Sequence, residues 1–283
     1  MSWRAWRRRN PDATLLPPVQ LPLLDQSIVV IGGTTGIGRS ATRAFHAAGA
    51  RLTVVGLDPA SCDEISAEFP AQVMVECADA CDPDTAAKVI SLALARYGRL
   101  DGLYHVAGGS GRRFGDGPIH ELTDEGWRQT LDLNLNSVFY SNRAAIRQFL
   151  AQGHGGTIVN LASVLAFSPS PSHFATHAYA TAKSGVIGLS KTLAAHYAGQ
   201  DIRVNVIAPG LVDTPMARRA AGDPAIQHFI RTKQPLDGGR MGNPSDLDAA
   251  AIFLLGDGSR FCTGQVLAID GGWSHSEGRA SNE

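Results

Sequence analysis

The chain predicts an α/β fold: one doubly wound sheet of about seven parallel strands with helices on both faces. Short β-branched runs alternate with longer stretches of helical periodicity along most of the 283 residues, the signature of βαβ units. The short runs are apolar almost throughout rather than alternating, as strands covered on both faces should be. A glycine-rich turn, Gly32-Gly33-Thr34-Thr35-Gly36-Ile37-Gly38, joins the first run to the first helical stretch.

Taken in order, the β-branched runs place strands at residues 27–31, 52–56, 72–77, 102–106, 157–161, 203–207 and 265–269. Apolar positions recurring every three to four residues place helices at 38–48, 84–97, 124–150, 178–197 and 246–255. Pro83 and Pro244 stand where pre-helix or first-turn prolines belong. Three loops should gather at the carboxyl edge of the sheet, where ligand pockets form. They are the turn-rich Ser168-Pro169-Ser170-Pro171-Ser172, the glycine-rich 110–117 with Arg112, Arg113 and Phe114, and the lid-like 211–234 with weak helix signals.

Length alone would suggest two domains at about 150 residues each, but doubly wound sheets often exceed that size as one unit. We expect a catalytic domain over 25–273, an N-terminal extension over 1–24 and a C-terminal tail over 274–283. Hydrophobic residues make up 44% of the chain and charged ones 18%, enough for a large core. The formal net charge of -1 and the thin spread of Lys and Arg exclude a nucleic-acid partner. The 4 cysteines, Cys62, Cys77, Cys81 and Cys262, read as free thiols of a reducing, cytoplasmic compartment. Cys77 and Cys81 lack a ligand pattern, so no metal site is expected. The extension carries Trp3, Trp6, Arg4, Arg7, Arg8 and Arg9. It reads as a surface arm, or alternatively as a contact to an anionic membrane or a neighbouring subunit. It lacks the unbroken apolar stretch of a signal peptide, and nothing in the chain suggests a membrane-spanning helix.

The chemistry-bearing residues follow the strands. Tyr179 and Lys183 lie four apart in Tyr-Ala-Thr-Ala-Lys, downstream of Ser163. On a helix that step puts phenol and ammonium on one face, where the cation favours the tyrosinate and suits Tyr179 to pass a proton. Taken alone, the pair could equally be an amphipathic anchor beside a solvated lysine. The turn Gly32 to Gly38, with Thr34, Thr35, Gly36 and Ile37, opens a helix after an apolar strand. There, backbone N–H groups and the helix dipole can cradle a pyrophosphate.

With this GxxxGxG spacing, the chain resembles the short-chain dehydrogenase/reductase family over approximately residues 25–273, and the fold expected is Rossmann-type. The resemblance implies a catalytic tetrad of Asn134, Ser163, Tyr179 and Lys183. It implies adenine contacts at Asp79 and Ala80, and a turn at Val106, Ala107 and Gly108 that lets the cofactor approach. It also implies a nicotinamide-end segment carrying Pro209, Gly210, Val212 and Thr214. Val106 departs from the family, which usually reads Asn-Asn-Ala-Gly where this chain has His105-Val106-Ala107-Gly108. The Ser163–Tyr179 gap is slightly long, the extra residues falling in the Ser/Pro loop.

The cofactor implied is NAD, with NADP possible. Gly56 occupies the position where the family places an acid or a base, Leu57 follows, and Asp58 could turn back to the ribose. Arg39 argues the other way. The activity implied is hydride transfer between the nicotinamide and a secondary alcohol or ketone. Tyr179 would pass the proton with its pKa lowered by Lys183 and by the positive nicotinamide of the oxidised cofactor, Ser163 would hold the substrate oxygen, and Asn134 would order a water. A small-molecule substrate and a homo-oligomer, tetramer or dimer, complete the implication. Ala178, Ala180, Ala182, Gly185 and Gly188 would permit close helix approach. A non-catalytic dinucleotide sensor and a dehydratase or epimerase of nucleotide sugars are the competing readings. His173 and His177 read as solvated loop histidines, and Phe167 and Phe174 as pocket or core.

Overall fold

The computed structural model describes residues 21–278. Seven strands form: β1 (Ser27–Ile31), β2 (Arg51–Gly56), β3 (Val73–Cys77), β4 (Gly102–His105), β5 (Gly156–Leu161), β6 (Ile202–Pro209) and β7 (Val266–Ile269). All pair in parallel, in the order β3-β2-β1-β4-β5-β6-β7. Successive strand side chains point to opposite faces. Ile28 and Val30 therefore join Phe45, Leu52 and Val54 in one core, while Val29 and Ile31 join Val89, Leu103 and Ile158 in the other. Two buried faces explain why the strands read as continuous apolar runs.

The helices are α1 (Gly36–Ala47), α2 (Pro59–Glu68), α3 (Thr85–Tyr97), α4 (Asp124–Leu131), α5 (Ser137–Gln152), α6 (His177–Tyr197), α7 (Arg218–Ala221), α8 (Pro224–Lys233) and α9 (Asp248–Leu255). Helix α2 is absent from the sequence expectation because it buries little that is apolar, chiefly Cys62 and Ile65. Its readable signal was Asp58-Pro59, an N-cap followed by a first-turn proline. The helix expected over 124–150 is interrupted by a π turn at Asp132–Asn136. Hydrophobic spacing barely registers one inserted residue, whereas such a bulge commonly marks a functional position. The lid-like segment holds α7 and α8.

The chain enters the sheet centre at β1, runs outward to β3, then crosses back to β4 on the other flank of β1. Loops leaving β1 and β4 thus part in opposite directions and open a crevice at their carboxyl ends, the switch point where ligands bind in such sheets.

The folded body begins before residue 25. Leu23 is fully buried, and its N–H donates to the Ala48 carbonyl. Residues 21–24 therefore belong to the body rather than to the extension, whose residues 1–20 lie outside the described ones. On the C-terminal side Lys233 donates to the Ser276 carbonyl, and the Ser276 hydroxyl donates to that of Thr232, so 274–278 lies docked on α8. Among the described residues no helix is long and apolar enough to cross a membrane.

Truncating Leu23 to Ala should cost about 2–5 kcal/mol, the usual range for a fully buried leucine. Denaturant unfolding checks it, and a change within about 0.5 kcal/mol would show that the turn adds nothing to the core.

Candidate active site

The glycine turn is shaped by contact. Gly32 (φ 88°) and Gly36 (φ 49°) occupy left-handed backbone, where side chains are strained. A Cβ on Gly32 would stand 2.6 Å from the Ala107 nitrogen, and one on Gly38 would stand 1.9 Å from the Gly32 carbonyl oxygen. Helix α1 begins at this turn with Thr35 as N-cap, yet no side chain caps it and no acid lies in its first turn. The N-termini of α2, α4 and α8 are by contrast capped by Asp58, Thr123 and Asp223. The open N-terminus of α1, reached by bare glycine backbone, fits the pyrophosphate of a dinucleotide.

Around the crevice lies a cavity of about 690 Å³. Gly32, Thr34, Thr35, Gly36 and Ile37 line it from the first turn, and Asp79 and Ala80 from the loop after β3. Val106, Ala107 and Gly108 line it after β4, and Pro209, Gly210, Val212 and Thr214 at and beyond the end of β6. Ser163, Tyr179 and Lys183 line it too. Three residues of the expected set, Asn134, Gly38 and Asp58, do not. Gly38 packs against Gly32, and Asp58 turns away, one carboxylate oxygen accepting from the Ser61 N–H at 2.9 Å. Asp58 is thus spent on capping α2 instead of facing the ribose site. Arg39, the competing signal, is bound by Glu64 and Glu68.

Ser163 follows β5 and accepts from the Leu165 N–H through its hydroxyl at 3.2 Å. Tyr179 sits in the first turn of α6. Lys183, one turn on and buried, donates to the Leu161 carbonyl at 2.9 Å and lies 5.7 Å from the Tyr179 ring centroid. Burial pushes the Tyr179 phenol up to about 12, against a smaller downward pull from the Ser163 hydroxyl beside it. Burial also lowers the Lys183 ammonium to about 8. The sequence expectation of a tyrosine lowered by Lys183 is therefore corrected: within this chain desolvation outweighs any help from the lysine.

Asn134 occupies the π turn and is fully buried. Its amide donates to the Gly109 and Thr130 carbonyls and its oxygen accepts from the Gly109 N–H, each at 3.0 Å. Both N–H bonds are thus committed to backbone, and only the oxygen has capacity left. A Cβ on Gly108 would lie 2.9 Å from that oxygen and 3.4 Å from Lys183 Nζ, so asparagine and lysine meet over one glycine.

A model of the enoyl-(acyl carrier protein) reductase family matches residues 32–274. A 3-oxoacyl-(acyl-carrier-protein) reductase of Chlamydia trachomatis is 33% identical, over 88% of this chain and 98% of its own length. A 3beta-hydroxysteroid dehydrogenase of Eggerthella lenta is also 33% identical, over 89% and 96%. A short-chain type dehydrogenase/reductase from Mycobacterium ulcerans superposes with a TM-score of 0.81 at 32% identity, over 90% and 91% of the two chains. The chain belongs to the short-chain dehydrogenase/reductase family. It is an NAD(P)-dependent oxidoreductase that interconverts an alcohol CH–OH and its ketone.

One residue beside this dehydrogenase/reductase cavity was not singled out in the sequence. Asp116, buried in the loop after β4, accepts from the Ala178 N–H at 3.0 Å and the Tyr179 N–H at 2.9 Å. It supplies from far along the chain the cap that α6 lacks locally. The loop over 110–117 is thus tied to the helix of Tyr179, with the His177 ring also bonded to the Gly117 carbonyl at 2.7 Å. His105 precedes Val106, the position at which the chain departs from the family's asparagine. The His105 Nε2 lies 3.2 Å from the Ala107 carbonyl and its Nδ1 2.7 Å from the Ser141 hydroxyl. Burial, then the Lys183 charge, holds that ring down at about 3; it is neutral. Val106 and Ala107 meanwhile both donate to the Ile31 carbonyl, so backbone secures the turn that lacks the asparagine. Trp273 donates to the Ser168 carbonyl and packs on Phe174 and Phe229, gathering the Ser/Pro loop, the lid and the C-terminal segment. Phe174 lines the cavity, whereas Phe167, His173 and His177 do not.

Asp116→Ala should lower kcat about tenfold by loosening the first turn of α6 and cost about 2 kcal/mol of stability. Steady-state kinetics and thermal unfolding read both, and unchanged kcat would remove Asp116 from the site. Lys183 titrates near 8 folded against an ordinary 10.5, so between these values the unfolded chain binds more protons and stability rises with pH. Relative to Lys183→Met, the wild type should gain about 3 kcal/mol across that window, measured by chemical denaturation at a series of pH values.

Proposed function

We propose that Ser163, Tyr179, Lys183 and Asn134 carry the reaction, and that the cofactor is NAD(H). The observation that supports this reading most is that serine, tyrosine and lysine line one cavity with the glycine turn at the β1/β4 switch point. A nicotinamide bound there would supply or accept the hydride.

Tyr179 holds the exchanging proton on its phenol oxygen. Because burial alone leaves it near 12, the proton is retained at neutral pH. That suits donation to a ketone, while loss in the oxidative direction needs a positive charge nearby. Ser163 donates to the substrate oxygen as its charge grows, an oxyanion-type contribution on the order of 10²- to 10³-fold. Lys183 supplies the buried cation beneath the phenol and a donor for the nicotinamide ribose. Asn134 positions rather than reacts. It clamps Gly109 with two hydrogen bonds, donates a third to the Thr130 carbonyl, and leaves one oxygen lone pair for a water that connects Lys183 to solvent.

NAD rather than NADP is favoured by charge. Gly56 and Leu57 line the cavity at the end of β2, where a cation would be needed for a 2′-phosphate. Arg39 is occupied by two glutamates. The free thiols support a reducing cytoplasmic setting. Exposed Phe139 and Leu150 on α5 support a homo-oligomer, although Gly185 packs on Leu135 within the chain instead of making room for a neighbour.

Tyr179→Phe should reduce turnover of a secondary-alcohol panel by on the order of 10²- to 10⁴-fold, followed by the near-ultraviolet absorbance of the reduced dinucleotide, with cofactor Kd nearly unchanged. Undiminished turnover would overturn the assignment. In the same assay kcat/KM for NAD should exceed that for NADP by about tenfold or more, and a reversed ratio would reject the cofactor reading.

A further inference from the structure

Arg112 lies in the loop after β4 and Arg219 on α7 after β6, flanking the strand β5 whose end carries Ser163. Both line the cavity that contains Ser163 and Tyr179. Each donates through Nη2 to the same acceptor, the His173 carbonyl, at 3.3 Å. Two guanidinium groups from distant parts of the chain thus converge on one neutral oxygen. That oxygen can satisfy only a small share of their ten N–H donors, five on each group.

Among the described residues neither arginine has a carboxylate within ion-pairing distance. The acid nearest in effect to Arg112 is Asp116, whose two oxygens are committed to the N-terminus of α6. Burial first, and then the Arg219 charge, lowers the Arg112 pKa. The lining near them mixes the apolar Val164, Leu165, Phe174 and Trp273 with Ser110, Arg113 and Thr176, and Arg219 lies 5.9 Å over the Phe174 ring. The one carboxylate among the lining residues, Asp79, follows β3 at the far side of the sheet. Like charges held together on one cavity wall, without an acid, are stabilised by an incoming anion. Paired guanidiniums match the planar oxygens of carboxylate or phosphate.

We propose that the physiological substrate is an anionic secondary alcohol or ketone, with an apolar skeleton and a carboxylate or phosphate that Arg112 and Arg219 bind. This rests on Ser163 and Tyr179 holding the reacting oxygen, and it adds the substrate class.

The test compares a homologous series of penultimate-oxo carboxylic acids with their methyl esters and with the matching oxoalkyl phosphates. The wild type should favour the best anion over the neutral ester by at least about tenfold in kcat/KM, mainly through KM. In the double variant R112Q/R219Q that ratio should fall to near one, and R112K/R219K should restore part of it. Acid and phosphate arms separate the two anions. Equal use of acid and ester by the wild type would overturn the proposal. So would an unchanged ratio in the double variant, or a rise confined to the KM for the dinucleotide, which would transfer the arginines to the cofactor. Thermal unfolding verifies that the variants fold. If no ketone of either kind turns over, the redox assignment itself has failed. Tryptophan-fluorescence titration with the oxo-free acid then still decides the arginines: affinity lost in R112Q/R219Q supports them, and affinity unchanged rejects them.

Discussion

The loops that leave β1 and β4 touch through backbone alone. Gly32 lies too close to Ala107, and Gly38 too close to Gly32, for any side chain to intervene, while Val106 and Ala107 both donate to the Ile31 carbonyl. This contact brings the open N-terminus of α1 to the edge of the crevice at the switch point. Tyr179, Lys183 and Ser163 are then arranged across the same gap by β5 and α6. If the contact were widened, the glycine turn and Ser163, Tyr179 and Lys183 would no longer line one cavity.

A second constraint is the use of fixed hydrogen bonds to hold loops that would otherwise move. Asn134 clamps Gly109 in both directions, Asp116 caps the helix of Tyr179, and Gln234 donates to and accepts from Leu211 at the base of the lid. Each is a buried polar group whose loss would leave backbone unsatisfied. The site is therefore positioned by polar contacts, although it sits on apolar strands. The same burial sets the electrostatics: it raises the Tyr179 phenol, lowers the Lys183 ammonium and keeps His105 neutral.

Much of this was legible in the residues themselves. The strands appear where the β-branched runs lie because two buried sheet faces leave no polar alternation to confuse the pattern. Spacing and the family resemblance pointed to the tetrad and the glycine turn; Ser163, Tyr179 and Lys183 line one cavity with Gly32 and Gly36, while Asn134 lies behind its wall. Helix α2 was missed because its face against the sheet is scarcely apolar, and the π turn because one inserted residue hardly disturbs a helical period. Asp58 was expected at the ribose, but a carboxylate followed by proline serves equally well as a helix cap, and one of its oxygens caps α2.

By itself the sequence determined the sheet, most of the helices that cover it and the family to which its motifs point, because local periodicity and short motifs encode all three. Only the tertiary structure decided what depends on contacts between distant segments. Examples are the capping of α6 by Asp116, the reversal of the Tyr179 shift by burial, and the meeting of Arg112 with Arg219 on the His173 carbonyl. Hydrogen bonding and desolvation are set by what surrounds a group in space, and the order of residues along the chain does not show those surroundings.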